Sequence, residues 1–481
     1  MKNGRWLIVD LDGTLLRSDM LLESFWNVLS HDARVATGAA FRLATGQSRA
    51  AEKDVLAQHA QIDIARLPYN ADVLELVAQR REAGDRVALV TASNIRFAQA
   101  IADHLGCFDE VHGSDESHNL KSSRKAAFLI ERFGEGNFDY AGDSFADLPV
   151  WAVSGEAVTV GAPPALREQA GQAAGQAQHL DRPAPVSESR LPPWLRAVRP
   201  HQWLKNVLVF LPVLTAHVGD PMIWLMSVLA FVTMSMVASS VYLFNDLLDL
   251  SSDRAHARKY RRPLASGDMD LWHATILAPV LFFGGLLISV LLMPVVYTAV
   301  LLGYFLLTMA YSLFLKRKLI VDICLLAGLY TIRVVAGAAA TGIALSPWLL
   351  ALSAFLFLSL AAVKRQAELV SDDALGREGA SGRAYLTSDM PILSGMALTA
   401  GYNAVLVVAL YISSPAVSAL YKSPYLLWGI CPILLYWISR TVMITHRGYM
   451  DDDPVIFAIK DGISRWCGLA IILIGVASAL W

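Results

Sequence analysis

The sequence predicts a chain of two parts: an N-terminal α/β domain with a parallel sheet and a helical cap, and a C-terminal all-α membrane bundle of about nine transmembrane helices. Three observations predict this architecture. Short strand-like apolar runs alternate with amphipathic helical stretches up to about residue 161. Beyond residue 193, apolar segments follow one another that are long enough to span a bilayer, which requires about 20 residues each. Hydrophobic residues make up 55% of the 481 residues, more than in ordinary soluble domains.

Composition excludes several classes of protein. The net charge is −2, so the chain has no bulk basic character, and we expect no nucleic-acid partner. The four cysteines are scattered without a CxxC pair, which supports neither a disulfide framework nor a zinc site. The N-terminus runs directly into a strand-like segment rather than a secretory signal, so we expect the α/β domain to stay in the cytoplasm.

The α/β domain is predicted over residues 1–161. Its strands are the runs WLIVD, RVALVTAS and FDYAGD, and a helical insert at about 15–84 separates the first two. Residues 162–193 are rich in Ala, Gln, Pro and Ser and have no apolar period, which predicts a linker. The membrane domain is then predicted over residues 194–481.

Hydropathy predicts nine membrane helices in the second domain. The first of them is short and amphipathic. The predicted segments are 205–219, 222–245, 271–292, 295–315, 319–342, 346–363, 391–413, 424–441 and 463–481.

Basic residues predict the orientation of the membrane domain. They gather in alternate connections, at 254–262, 316–318, 364–383 and 440–465, and the intervening connections carry almost none apart from Lys422. The positive-inside rule puts the basic loops in the cytoplasm, on the side of the α/β domain. We therefore expect a multi-pass protein of the cell (inner) membrane with a cytoplasmic N-terminal domain.

The first strand ends in the motif DLDGTLL. An Asp-x-Asp-Gly-Thr sequence after a strand places Asp10 and Asp12 at the carboxyl edge of the sheet, where open α/β folds keep their sites. Asp10 can serve as a nucleophile and metal ligand, and Asp12 can act as a general acid–base. Thr91 ends the next apolar strand and can bind phosphate. Lys125 opens the helix KAAFLIERF and can neutralise transferred charge, with the nearby Lys121 as the alternative.

A fourth element, GDSFAD, places Asp143 and Asp147 after another strand, as Mg²⁺ ligands or their supports. These motifs, in this order, resemble the haloacid dehalogenase-like (HAD) phosphatase superfamily across nearly all of residues 6–160. The resemblance implies a Rossmann-like fold and an aspartyl-phosphate on Asp10 that water hydrolyses. It further implies a cap, the 15–84 insert, that selects the substrate. The predicted ligands of one Mg²⁺ are Asp10, Asp12, Asp143 and Asp147.

The second acidic motif is FNDLLDLSSDRAHARKYRRPLASG, residues 244–267, which begins at the end of an apolar run. Asn245, Asp249 and Asp253 recur every four residues and fall on one helical face, with Asp246 alongside. Carboxylates at the end of an apolar helix are costly unless a cation or a solvent cavity accommodates them. Carboxylate and amide oxygens suit Mg²⁺ that bridges to a diphosphate. The basic residues that follow can hold the remaining phosphate charge: Arg254, Arg258, Lys259, Arg261 and Arg262.

The run N-D-x-x-D-x-x-x-D, the predicted helices and the cytoplasmic polar loops together resemble the UbiA superfamily of intramembrane prenyltransferases. The resemblance covers roughly residues 195–481. It implies a UbiA-like fold in which Asp246, Asp249 and Asp253 are catalytic and bind one or more Mg²⁺ ions with the diphosphate of the substrate.

Two elements depart from the family pattern. The loop that corresponds to the family's DxxxD motif reads GRAYLTSDM, so Tyr385 replaces one aspartate and Asp389 is kept. The Y-x-x-x-K element has one extra residue between Tyr311 and Lys316. All four remain predicted substrate-binding residues, but the departures count against the usual prenyl-diphosphate substrate.

Within the superfamily, the segments RPHQWLKNVLVF, NDLLDLSSD and DDDPVIFAIKD resemble the polyprenyl-phosphate phosphoribosyltransferases, which make decaprenylphosphoryl 5-phosphoribose for arabinan precursors. There the diphosphate belongs to phosphoribosyl pyrophosphate, and the lipid, a polyprenyl phosphate, brings the attacking phosphate. The resemblance implies transfer at ribose C1, and the HAD domain is then predicted to remove the 5-phosphate of the product. The remaining predicted substrate contacts are Arg199, Lys205, Asn206, Lys364 and Arg365.

Two alternatives stay open. One is a UbiA-type prenyltransferase that moves a polyprenyl group from its diphosphate to an aromatic acceptor. The altered DxxxD motif and the fused phosphatase domain count against it. The other is a transporter or lipid-binding membrane protein that its soluble domain regulates. That reading would require paired, broken helices with inverted halves, and the sequence has no clear internal repeat.

Overall fold

The structure is a computed structural model that describes residues 5–45, 49–115, 120–181, 186, 190–374, 376, 384–450 and 453–481. Contacts divide the chain into two compact units. The first unit comprises residues 1–199 and 242–280, and the second comprises residues 200–241 and 281–481. The first unit therefore contains the N-terminal domain together with the whole second acidic motif, residues 244–267.

A six-stranded parallel sheet in the order β3-β2-β1-β4-β5-β6 is the centre of the first unit. This confirms the predicted parallel α/β architecture. Because all the strands run the same way, the residues that follow β1, β2 and β4 meet at one edge of the sheet. The strands are β1 Trp6–Val9, β2 Arg86–Asn94, β3 Glu110–Ser114, β4 Phe138–Gly142, β5 Glu156–Val160 and β6 Ala177–Leu180.

Helices cover both faces of the sheet. Leu7 and Val9 of β1 belong to one core cluster, with residues of α4 and α5, while Ile8 belongs to a second cluster with residues of α6, α7 and α8. The alternation follows from the two-residue period of a strand. The helices are α1 Met20–His31, α2 Ala33–Ala44, α3 Arg49–His59, α4 Ala71–Glu82, α5 Ile95–Leu105, α6 Ser123–Phe133, α7 Leu148–Trp151, α8 Pro164–Ala174 and α9 Pro193–Ala197.

The helical insert lies between β1 and β2, as the sequence predicts. It consists of α1, α2 and α3, a 3-10 turn at Ile64–Arg66, and α4, which returns the chain to the sheet. Asp19 caps α1 and Asp32 caps α2, each accepting hydrogen bonds from the first turn of its helix.

The segment predicted as a linker differs from that prediction in its first half. Helix α8 packs through Leu166 and Ala170 on the sheet, and β6 pairs in parallel with β5 as the sixth strand. The α/β fold thus continues to Leu180. Residues 182–185 and 187–189, which also belong to the predicted linker, lie outside the described residues.

Within the described part of the chain, eight helices are long and apolar enough to cross a membrane. This confirms a multi-pass bundle, with eight such helices where the sequence predicted about nine. The helices from residue 200 onward are α10 Leu211–Thr215, α11 Pro221–Leu248, α12 Leu250–Ala255, α13 Leu271–Leu292, α14 Val295–Leu313, α15 Val321–Thr341, α16 Pro347–Asp373, α17 Met390–Ile412, α18 Pro415–Leu420, α19 Ile430–His446, α20 Pro454–Lys460 and α21 Gly462–Leu480.

The predicted first span at 205–219 is not one of these eight, because it does not form a single long α-helix. The region forms a 3-10 helix at Pro200–Phe210 followed by the short α10. Its backbone packs against α15, where a Cβ at Gly337 would lie 2.0 Å from the Val209 carbonyl oxygen. Backbone that is not α-helical is tolerated at membrane depth where other protein segments bury it, as α15 does here.

Candidate active sites

The first candidate site lies at the carboxyl edge of the sheet. Asp10 follows β1, Asp143 follows β4, and Thr91 lies within β2. Asp10 is in the middle of the three, because β1 pairs with both β2 and β4. Thr91 is fully buried, and its Oγ1 accepts a hydrogen bond from the Ser93 N–H at 3.0 Å. The topology thus brings together residues that are more than 130 positions apart in the sequence.

Lys125 lies beside Asp10. Its Nζ is 3.0 Å from Asp10 Oδ1 and donates a hydrogen bond of 2.9 Å to the Tyr140 hydroxyl. The Tyr140 hydroxyl in turn donates to Asp147 Oδ1 at 2.9 Å. Lys125 is buried, whereas the alternative, Lys121, is exposed, so the geometry favours Lys125.

Asp12 is held by two donors. The Met20 N–H, at the start of α1, donates to Oδ1 at 2.7 Å, and the Ser93 hydroxyl donates to Oδ2. Burial raises the pKa of Asp12 to about 7, with a further contribution from the carboxylate of Asp19. A carboxyl group with such a pKa can hold a proton at neutral pH and transfer it, as a general acid requires.

At this edge of the sheet, three carboxylates lie close enough together to hold a metal ion. Oxygens of Asp10, Asp143 and Asp147 lie within 4.8 Å of one another. Burial, followed by the charges of Asp147 and Asp10, raises the pKa of Asp143 to about 8. A divalent cation relieves this repulsion, so the donor set fits Mg²⁺. Asp12, also predicted as a ligand, is not a member of this group.

The cap contacts this site through α3. Lys53 donates from Nζ to the Ala92 carbonyl oxygen at 2.8 Å, and the Asn94 side chain donates to Asp54 Oδ1 at 2.9 Å. Both contacts reach the end of β2, next to Thr91. The sequence does not predict Lys53, Ser93 and Tyr140 as site residues, because no motif spacing marks side chains that reach the site only through tertiary contacts.

The second acidic motif is also described within the first unit. Asn245 and Asp246 lie in the last turn of α11, Asp249 lies at the junction with α12, and Asp253 lies on α12. The Asp249 N–H donates to the Asn245 carbonyl at 2.9 Å, and the Asp253 N–H donates to the Asp249 carbonyl at 2.8 Å. The helical repeat of four therefore continues across the junction, as the spacing predicts.

Arginines neutralise two of these carboxylates. Arg262 Nη1 lies 3.1 Å from Asp246 Oδ1 and 2.5 Å from Asp253 Oδ2. Arg199 also pairs with Asp246, from a backbone with φ +54°, a left-handed conformation that is uncommon for a residue with a side chain. Burial raises the pKa of Asp253 to about 6, although Arg262 opposes the rise. Buried carboxylates beside arginines have the donor chemistry for Mg²⁺ and a diphosphate, so the residues fit that group.

The other predicted basic residues of this motif differ in their surroundings. Arg258 and Lys259 are both exposed. Arg258 precedes the 3-10 turn Lys259–Arg261, and the positive charge of Lys259 favours the ionised form of Asp253. Arg254 is directed elsewhere: both of its terminal nitrogens bind Glu23 of α1, at 3.0 and 2.5 Å. The sequence predicts that Arg254 is one of the phosphate-binding cations, whereas in the structure its partner is Glu23.

In the second unit, two predicted lysines share one carboxylate. Lys205 Nζ donates to Asp453 Oδ2, and Lys364 Nζ lies 4.0 Å from the same oxygen. Burial opposes ionisation of Asp453, but the two ammonium groups hold its pKa below the ordinary value. Two ammonium groups thus lie beside this carboxylate, and cations of this kind suit an anionic ligand.

Three further predicted residues of the second unit belong to a buried network. The Tyr385 hydroxyl donates to Asp322 Oδ1 at 2.5 Å, and Arg365 donates from Nε to Asp322 Oδ2 at 2.7 Å. Arg365 also binds the Tyr311 hydroxyl at 2.8 Å and Glu368 at 2.5 Å. The tyrosine in place of the family's aspartate therefore completes a hydrogen-bonded network.

The remaining predicted residues of the second unit have local partners. Asn206 is fully buried, donates to the Ser235 hydroxyl at 3.0 Å and accepts from Arg333 Nε at 2.8 Å. Asp389 accepts from the Leu386 N–H at 3.0 Å at the start of α17. Lys316 lies on a 3-10 turn, Leu315–Arg317, after α14.

Two family profiles match this chain. A profile of the UbiA prenyltransferase family matches residues 206–460, and a profile of haloacid dehalogenase-like hydrolases matches residues 7–150. The first covers more than half of the chain. The two profiles contain, between them, nearly all of the candidate site residues.

Three relatives cover different parts of the chain. The uncharacterised protein y4nM of Sinorhizobium fredii is 35% identical over 468 residues, which are 97% of this chain and 89% of that protein. Nodulation protein NoeC of Azorhizobium caulinodans is 35% identical over 58% of this chain and 91% of that protein. Decaprenyl-phosphate phosphoribosyltransferase of Mycobacterium tuberculosis is 41% identical over 180 residues, 36% of this chain and 59% of that protein.

Proposed function

Because this chain belongs to the UbiA prenyltransferase family and also carries a haloacid dehalogenase-like hydrolase domain, we propose that it is a bifunctional lipid phosphoribosyltransferase and phosphatase. The transferase moves 5-phosphoribosyl from phosphoribosyl pyrophosphate to a polyprenyl phosphate. The phosphatase removes the 5-phosphate of that product. The observation that carries the proposal is the 41% identity to a decaprenyl-phosphate phosphoribosyltransferase over 180 residues.

In the transferase reaction, the acid-rich segment (residues 245–253) holds the diphosphate of the donor. Asp246, Asp249 and Asp253 are the residues that would bind Mg²⁺, which neutralises the departing pyrophosphate. Arg262 and Arg199 lie beside these carboxylates and contribute positive charge for the phosphate oxygens. Stabilising the leaving group is the main requirement, because the transition state at ribose C1 resembles an oxocarbenium ion.

The lipid phosphate requires a cationic site of its own. Lys205 and Lys364 have the chemistry for it, because both ammonium groups lie beside the Asp453 carboxylate and can bind phosphate oxygens. The buried network of Asp322, Arg365 and Tyr385 supports α15 and α16. We assign the lipid phosphate to the two lysines and a structural role to the network.

In the phosphatase reaction, Asp10 attacks the phosphorus atom and Asp12 protonates the departing oxygen of the alcohol. Lys125, 3.0 Å from Asp10, neutralises negative charge on the transferred group. Asp143 and Asp147, with Asp10, would hold Mg²⁺, which supplies further positive charge to the phosphoryl oxygens. Water then hydrolyses the aspartyl-phosphate, with Asp12 as the general base.

We propose that the protein lies in the inner membrane with its basic loops facing the cytoplasm. The phosphatase domain is then on the cytoplasmic side as well. The loop between α11 and α13 belongs to the same unit as the phosphatase, which supports a common side. Residues 200–220 then have to cross the bilayer before α11 begins. A 3-10 helix of 11 residues followed by α10 has a length of about 30 Å, which is enough for one crossing.

A donor assay tests the transferase. Membranes that contain the full-length protein receive labelled phosphoribosyl pyrophosphate with polyprenyl phosphate or, separately, labelled prenyl diphosphate with an aromatic acid. We expect label in the lipid fraction from the first mixture, and no prenylated acid from the second. Prenylated aromatic product without lipid-linked ribose would overturn the proposal in favour of the prenyltransferase alternative.

A glycine variant tests the phosphatase metal site. Gly13 has φ +73°, and a Cβ there would lie 2.1 Å from Asp143 Oδ2. Gly13→Ala is expected to displace this carboxylate, so that half-maximal hydrolysis of p-nitrophenyl phosphate needs about tenfold more Mg²⁺. The matched control is Gly106→Ala, since Gly106 has φ +63° with nothing within 4 Å of its Cβ position. An equal Mg²⁺ requirement in the two variants would contradict the metal assignment of Asp143.

A further inference from the structure

The segment that follows the acid-rich segment contacts the first helix of the phosphatase cap. Arg254 binds Glu23 of α1 through both terminal nitrogens, at 3.0 and 2.5 Å, and its Nε donates to the Ala265 carbonyl at 3.0 Å. The two charged side chains are only 6% and 3% exposed. All of these residues belong to the first unit. The ion pair is therefore a buried contact rather than a surface one.

Further contacts hold the same region. Asp268 accepts from Arg17 at 2.7 Å and from Arg196 at 2.8 Å, and its side chain is fully buried. Trp26 of α1 donates from Nε1 to the Thr275 hydroxyl at 3.0 Å. These contacts fix α1 at several points. A fixed helix holds a backbone group at its end in a constant position, as a catalytic contact requires.

The start of α1 carries such a contact. The Met20 N–H, the first of the helix, donates to Asp12 Oδ1 at 2.7 Å. Glu23 lies in the same turn: its N–H donates to the Asp19 carbonyl at 2.9 Å, and its carboxylate accepts from the Ser18 hydroxyl. The position of the Met20 N–H therefore depends on where the Glu23 carboxylate is held.

From these contacts we propose that Arg254 is a positioning residue of the phosphatase, which acts through Glu23 and α1 on the general acid Asp12. The inference rests on the proposed phosphatase function. Without Arg254, the Glu23 carboxylate is a buried charge without its arginine, which is unfavourable. The carboxylate is then expected to move toward water and to displace the backbone around it. The first turn of α1 moves with it, and the Met20 N–H no longer orients Asp12.

The proposal makes the membrane domain a part of the phosphatase. Arg254 follows Asp253 directly on α12, so the short helix that carries one ligand of the diphosphate site also carries the residue that fixes the cap helix. The phosphatase domain is thus incomplete when the chain ends at residue 199.

The test compares two substrates of similar shape whose leaving groups differ in basicity. p-Nitrophenolate departs without protonation, whereas phenolate depends more strongly on the proton that Asp12 supplies. In full-length protein, Arg254→Gln is expected to lower kcat/KM for phenyl phosphate about tenfold, and that for p-nitrophenyl phosphate less than about threefold. Asp12→Asn is expected to discriminate in the same sense, with a larger effect.

Further variants separate positioning from a loss of folded protein. Arg254→Lys keeps the charge but not the two-nitrogen contact, and we expect partial recovery of phenyl phosphate hydrolysis. Arg66→Gln is the matched control, because Arg66 forms an exposed ion pair with Asp63 in the same insert. We expect its kcat/KM to equal that of the wild-type protein for both substrates.

Each outcome decides the inference. If Arg254→Gln lowers both values of kcat/KM by the same factor, the pair only stabilises the fold and the inference is wrong. It is also wrong if Arg254→Gln has no effect while Asp12→Asn still discriminates, and in that case the phosphatase function stands. If the wild-type protein hydrolyses neither phosphate, the phosphatase function itself fails, and the inference fails with it.

Discussion

Asp10→Asn is expected to reduce the phosphatase activity of the full-length protein by at least about 10³-fold, because the amide cannot act as the nucleophile toward phosphorus. The substitution keeps the size of the side chain, and the N–H donated to the Ala141 carbonyl at 3.0 Å belongs to the backbone, so the fold is retained. Transfer of phosphoribosyl to lipid is expected to continue at the wild-type rate. The lipid product should therefore accumulate with its 5-phosphate in place.

This result is measured by mass spectrometry of the lipid fraction after incubation with phosphoribosyl pyrophosphate and polyprenyl phosphate. Asp72→Asn is the matched control, because Asp72 is an exposed residue in the first turn of α4. The control should yield lipid-linked ribose without the 5-phosphate, as the wild-type protein does. If the Asp10→Asn protein still yields lipid-linked ribose without the 5-phosphate, the hydrolase domain is not what removes that phosphate. This result would contradict the coupled scheme.

Asp249→Ala is expected to have the opposite effect. The variant removes one of the three carboxylates of the acid-rich segment, and lipid labelling should fall by at least about 10²-fold. Hydrolysis of p-nitrophenyl phosphate should remain within about twofold of the wild-type value. This limit corresponds to a change of less than about 0.5 kcal/mol in the activation free energy. The contacts of Glu23 with Arg254 do not involve Asp249.

The measurement uses labelled phosphoribosyl pyrophosphate over a range of Mg²⁺ concentrations. Asp220→Ala is the control, because Asp220 is an exposed acid at the other end of α11. Labelling in that control should equal the wild-type value. If Asp249→Ala retains more than a tenth of wild-type labelling at every Mg²⁺ concentration, the assignment of the diphosphate to the acid-rich segment is wrong.

The strands that carry the phosphatase motifs were predictable because each is a short apolar run bounded by polar residues. WLIVD became β1 and RVALVTAS lies in β2, and the residue after each of β1 and β4 is an aspartate. β6 was not predictable in the same way. Its sequence, AQHL, is short and half polar, as an edge strand with one neighbour allows, and such a composition predicts a linker rather than a strand.

The count of membrane helices differed for a related reason. Hydropathy measures how apolar a segment is, and residues 205–219 are apolar enough for a membrane. Whether such a segment becomes a long α-helix depends on its neighbours. Here the close approach of Val209 to Gly337 of α15 accompanies a 3-10 helix instead.

The sequence by itself determined the two fold classes, the family resemblances and the carboxylates of both sites. These follow from apolar periods and from spacings of two to eight residues, which local backbone geometry converts into a shared edge or face. Only the tertiary structure decided the partners of the charged groups. Arg254 and Glu23 are 231 positions apart, and no periodicity relates residues at that distance. Their pairing arises because a buried charge requires a partner, and the fold selects which one is within reach.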